Sequence, residues 1–85
     1  MIQIIIDETE PIGQFIVAKA RESGKSLDEA AREITQEGFE TAVRALHDRF
    51  IKGEFSQGAM ADQLGISRID LIHLLDSMGL PATNV

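Results

Sequence analysis

The spacing of apolar residues changes character near the start of the chain, from strand-like alternation to helical stripes. Residues 1–7 carry Ile2, Ile4, Ile5 and Ile6, and β-branched side chains favour a pleated surface. Alternation sets Ile2, Ile4 and Ile6 on one face and Gln3, Ile5 and Asp7 on the other. From residue 9 the spacing turns helical. Ile12, Phe15, Ile16 and Ala20 share a stripe with Ser23 and the stem of Lys19. Pro11 suits a first turn, where its missing N–H costs nothing, and Gly24 suits a C-cap, so a helix is predicted over 9–23. Ser26-Leu27-Asp28-Glu29 is a capping box that opens a second helix, with Leu27, Ala30, Ala31 and Ile34 as its apolar stripe. The stripe resumes at Phe39, Val43, Leu46 and Phe50 and ends at Gly53. Gly38 lies between the two runs, and a break or kink is expected there, because glycine costs about 1 kcal/mol against alanine inside a helix.

No second strand-like run follows the first. A lone strand leaves its N–H and C=O groups unpaired, and pairing with the same strand of another copy solves this most simply. A homodimer is therefore expected through a strand that begins at Met1 and ends at Asp7. Strand, helix, helix resembles the outline of a ribbon-helix-helix dimer, whose paired strands enter the DNA major groove. The outward face would then carry Gln3, which suits adenine, beside Asp7, whose charge is wrong for phosphate.

The segment 57–76 reads as a helix-turn-helix. Two short helices crossing at roughly 90–120° need a small residue at the crossing and a glycine in the turn. Ala61 and Gly65 supply them, and Met60, Leu64, Ile66, Leu71 and Leu74 point into the crossing. Ser67 caps the second helix, and Asp70 three residues on completes another capping box. The fold class expected is thus mostly α: a short N-terminal strand pairing across a dimer, then helices ending in a helix-turn-helix. The parts are a strand-helix-helix dimerisation part (1–53), the helix-turn-helix (54–81) and a tail (82–85), together one domain.

In a DNA-reading helix-turn-helix the start of the second helix meets base edges. The exposed positions there are Ser67, Arg68, Ile69, Ile72 and His73. Arg68 suits a guanine or a phosphate, and Ser67 a phosphate unless its hydroxyl is spent as a cap. Ile69 and Ile72 suit a protein partner better than a phosphate groove, or else pack on the domain's other helices. With Gln3, these five residues are the candidate partner-binding or nucleic-acid-binding set.

The run Lys52-Gly-Glu-Phe-Ser56, continuing through the helix-turn-helix to Gly79-Leu80-Pro81, resembles a family of small prokaryotic proteins, uncharacterised and suspected to act as antitoxins of type II toxin–antitoxin pairs. Its members show Glu-Gly-x-Ile-Ser, then Ala-Ala-x-x-Ala-Gly-Met-Ser-Arg, then an apolar helix ending Gly-Ile-Pro. The matching positions are Gly53, Phe55, Ser56, Ala61, Leu64, Gly65, Ser67, Arg68, Leu71, Leu74, Leu75, Gly79 and Pro81. The resemblance covers roughly the last third of the chain, and it implies binding of a cognate toxin together with operator DNA as a further ligand.

Charge changes the weight of these readings. The net charge is −6 over 85 residues, which removes the electrostatic term that usually supplies most nucleic-acid affinity. Residues 54–85 hold four acids (Glu54, Asp62, Asp70, Asp76) and one base, Arg68. Cysteine is absent, which excludes disulfides and Cys-ligated metal sites, and no apolar run approaches the roughly 20 residues that span a bilayer. The chain is read as cytoplasmic and non-membrane. Gly24-Lys25-Ser26 mimics the end of a phosphate-binding loop, but the glycine required five residues earlier is Lys19. His73 lies three residues from both Asp70 and Asp76, yet no nucleophile or ligand cluster accompanies it. Both His47 and His73 are expected to be surface or half-buried residues paired with helix carboxylates. No enzyme, cofactor or metal is expected. An antitoxin-like regulator that binds a protein partner leads the functional readings. A helix-turn-helix transcriptional regulator without a toxin partner comes next, and a structural or adaptor dimer last.

Overall fold

The computed structural model describes residues 1–84. Among them it holds four helices: α1 (Pro11–Ser23), α2 (Leu27–Ile51), α3 (Gln57–Leu64) and α4 (Arg68–Ser77). Contacts gather into two units, Met1–Phe39 and the chain from Glu40 onward.

In the first unit the start of α1 is set by an Asx turn. The Asp7 carboxylate accepts from the Thr9 backbone N–H and from its hydroxyl, both at 2.8 Å. These two bonds, the backbone one first, hold the exposed Asp7 carboxyl below its ordinary range. Pro11 occupies the first turn, and Gly24 closes the helix with its N–H on the Ala20 carbonyl. Ser26 then caps α2, its Oγ accepting from the Glu29 N–H at 3.1 Å. The Glu29 carboxylate returns to the Ser26 hydroxyl at 3.3 Å. Ile16 and Ala20 of α1 meet Ala30 of α2 in a small buried cluster, edged by Ile6, Ala31 and Ile34. Lys19 adds an ion pair to Glu37 at 3.2 Å, and Lys25 pairs with Glu33.

Two expectations fail in this half. There is no strand over residues 1–7 and no sheet among the described residues, so the N-terminal strand pairing across a dimer and the ribbon-helix-helix outline are not present. Alternation needed Ile2, Ile4 and Ile6 on one face. Only Ile6 packs, on the first unit's own cluster, while Ile2, Ile4 and Ile5 stay exposed. Residues 1–5 are exposed, so their backbone groups face water and need no second strand to pair with. The break expected at Gly38 is absent too. α2 runs unbroken through it, because the apolar stripes on either side keep the helix in register.

The second unit holds the larger core. Val43 and Phe50 of α2, Met60 and Ala61 of α3, and Leu71 and Leu75 of α4 are buried together. Around them sit Leu46, Phe55, Leu64, Ile66, Leu74, Met78, Leu80 and Ala82. Ser56 caps α3, accepting from the Ala59 N–H at 3.1 Å. α3 ends at Gly65, whose φ of 72° is open to glycine at no steric cost. The Ile66 N–H returns to the Ala61 carbonyl at 3.1 Å, and Ser67 immediately caps α4 by accepting from the Asp70 N–H at 3.0 Å. Two helices are thereby joined through three residues. After α4, the Leu80 N–H bonds the Leu75 carbonyl at 2.8 Å and turns the chain back along the helix. Of the tail 82–85, Val85 lies outside the described residues. No helix is long and apolar enough to cross a membrane among the described residues.

Candidate partner-binding face

α4 has two unlike faces. Leu71 and Leu75 are fully buried and Leu74 is half-buried, so this side belongs to the core. Ile69, Ile72, His73 and Asp76 recur at intervals of three, four and seven residues and form one exposed stripe. Ile69 is 69 % exposed and Ile72 39 %, so neither is absorbed by the other helices. Ile69 and Ile72 thus form an exposed apolar pair on the solvent side of a short helix.

Arg68 opens α4 with an occupied guanidinium. Its Nε and Nη2 donate to the Gln57 Oε1 at 3.3 and 3.0 Å. The other end of the same amide, Nε2, donates to the Ala82 carbonyl at 2.7 Å. Gln57 thus ties the first residue of α4 to the chain beyond its last. A second clip sits nearby. His47 Nε2 lies 2.7 Å from the Pro81 carbonyl, which only accepts, so this nitrogen carries the proton. His47 is 7 % exposed, and its ring tilts against Phe50 at a centroid distance of 5.9 Å. Residues 80–82 are therefore fastened as a strap beside α4. Between strap and helix lies an open cleft of about 350 Å³, lined by Ile72, His73, Asp76, Leu80, Pro81 and Ala82.

Ser67, Arg68, Ile69, Ile72 and His73 are all exposed at or on α4. The Ser67 hydroxyl is spent as a cap. Gln3 is exposed in the other unit and stands on no strand, so its role as a strand-borne base reader lapses. His73 makes no ion pair with Asp70 or Asp76 among the described residues, and His47 is buried on a backbone carbonyl, so the expected histidine–carboxylate pairs are absent. Sequence reasoning missed the clips made by Gln57 and His47. Neither partner carbonyl leaves a mark in the sequence; the only available hint was His47 falling one residue after Leu46 on the apolar stripe of α2. No group of three or more His, Cys, Asp or Glu able to hold a metal occurs among the described residues.

No protein-family model matches the chain, nor does any curated protein or any solved structure.

Proposed function

We propose that the protein is an antitoxin-like regulator that acts by binding a protein partner, and that the outer face of α4 receives that partner. The observation that supports this most is the exposed pair Ile69 and Ile72 on a helix whose single base is already engaged by Gln57. Burying both isoleucines against a partner removes apolar area from water at about 25 cal/mol per Å². The test is co-expression with the product of the adjacent open reading frame, followed by pulldown. Capture is expected, and the double variant Ile69→Asp with Ile72→Asp should lose it. Absence of capture, or capture untouched by the double variant, overturns the proposal.

A DNA-binding regulator is the second reading. It is favoured by the tight Gly65–Ser67 turn and by the position of Arg68 at the start of the second helix. It requires Arg68 to leave Gln57, and it has only one base in residues 54–84 to neutralise phosphate. Gel retardation of promoter DNA at about 50 mM salt, where electrostatic attraction is strong, decides it. Retardation lost in Arg68→Ala supports this reading; absence of retardation at that salt removes it.

A further inference from the structure

We propose that the cleft between α4 and the 80–82 strap docks a basic amphipathic helix. This rests on reading the outer face of α4 as the partner surface, and it names the chemistry of the partner. Three features of the cleft converge on that occupant.

The first is that its wall is built in advance. Residues 80–82 are held by the Leu80 N–H on Leu75, by His47 on the Pro81 carbonyl and by Gln57 on the Ala82 carbonyl. A partner therefore does not have to order the strap, and that ordering cost is absent from its affinity. The second feature concerns the backbone. A peptide that binds in extended form adds main-chain hydrogen bonds to a free edge. Here the Pro81 and Ala82 carbonyls are already occupied, and proline has no N–H to give. With the Leu80 N–H also engaged, the strap is a poor edge for adding a strand. A helix, which satisfies its own backbone, meets that limit, and its apolar stripe matches the stripe of Ile69 and Ile72.

The third feature is charge. Asp76 lines the cleft and Asp70 is exposed one turn before His73. Arg68 is the only base between residues 54 and 84, and it sits at the opposite end of α4 from Asp76. A lysine or arginine on the partner is thus attracted to Asp76, the one carboxylate that lines the cleft. This sets the register: an aliphatic side chain against Ile72, with a cation beyond it facing Asp76. Opposed charges at the rim of a contact act mainly on specificity and on-rate.

The test uses the whole protein, isotope-labelled, and two capped peptides of about 15 residues, near the length at which isolated helices become measurable. Both carry leucines at helical spacing, one with lysine and the other with glutamate at every remaining position. At about 150 mM salt, where the Debye length is about 8 Å and diffuse attraction is screened, the lysine peptide is expected to bind at least about tenfold more tightly. Amide shift changes should centre on Ile69, Ile72, His73, Asp76 and Leu80. The exposed Asp76→Lys variant should abolish or invert the preference. Equal affinity, failure of both peptides to bind, shifts centred outside the cleft, or a preference indifferent to Asp76→Lys would each overturn the inference. Capture of the adjacent gene product through Ile69 and Ile72, together with such a failure, leaves the partner reading standing and removes only the basic helix.

Discussion

Gly38 offers a measurement whose sign and size both follow from the fold. Replacing it with alanine adds one methyl group on the solvent side of α2, with no non-local heavy atom within 4 Å of the new carbon. There is neither a clash to pay for nor packing to gain. Its φ is also not among the positive values found at Gly24, Gly53, Gly65 and Gly79, so alanine adopts the backbone without strain. What remains is the helix-interior difference between the two residues, about 0.8–1 kcal/mol in favour of alanine. Spread over the unfolding entropy of a chain this size, about 2.1 cal/mol/K per residue, that raises the melting temperature by about 5 °C. In urea, with a slope of about 1–2 kcal/mol/M, the midpoint rises by about 0.5–1 M. Thermal and urea unfolding followed by helical circular dichroism reads both. A midpoint unchanged or lowered in Gly38→Ala would refute the reasoning. It would mean that the helix ends near residue 38 in solution and that glycine is there as a terminator, as the sequence pattern alone suggests.

The same substitution at Gly13 should have the opposite sign. A methyl group there collides with the Asp7 carbonyl oxygen, which is backbone, so Gly13→Ala should lower the melting temperature despite alanine's better helix propensity. At Asp7 the bonds from Thr9 favour the charged carboxylate, so their stabilising effect is present above the ordinary carboxyl range and is lost as pH falls through the lowered value. An NMR titration should place the Asp7 midpoint below that of the Thr9→Val variant, and coincident midpoints would dismiss the hydroxyl's part. Gln57→Ala removes both the hold on Arg68 and the clip on Ala82, and should cost about 1–2 kcal/mol while broadening or shifting the Ala82 and Thr83 amide signals. Amide exchange should be slower in α3, α4 and the residues of α2 from Val43 to Phe50 than in α1. The second unit buries six apolar residues against three in the first, and two of those three are alanines.

Much of the helical half was legible in the pattern of residues. Gly24, Ser26, Gly65 and Ser67 mark helix ends through local hydrogen bonds, and local rules need no knowledge of the rest of the chain. Met60, Ala61 and Leu71 could be placed in the core because helical spacing fixes which residues share a face. The failures came where local preference met a competing contact. Ile4, Ile5 and Ile6 favour a strand, but a strand exists only with a neighbour, and Ile6 found a place against helices instead. Gly38 weakens a helix by an amount smaller than what the flanking stripes contribute by burial, so the helix persists. Ile12 and Phe15 lay on the expected stripe of α1 yet are 46 % and 58 % exposed, because that stripe is wider than the cluster it meets.

The same contrast bears on how α4 can function. A base reader must present its cation to the groove, and the one cation here is turned onto a glutamine amide whose other end secures the strap. Moving Arg68 onto a phosphate would take both of its hydrogen bonds away from the Gln57 Oε1, with Asp70 two residues away opposing the approach. Accepting an apolar partner on Ile69 and Ile72 breaks no hydrogen bond and leaves Gln57 in place. Of the two ligands proposed, the protein partner asks α3 and α4 to give up less.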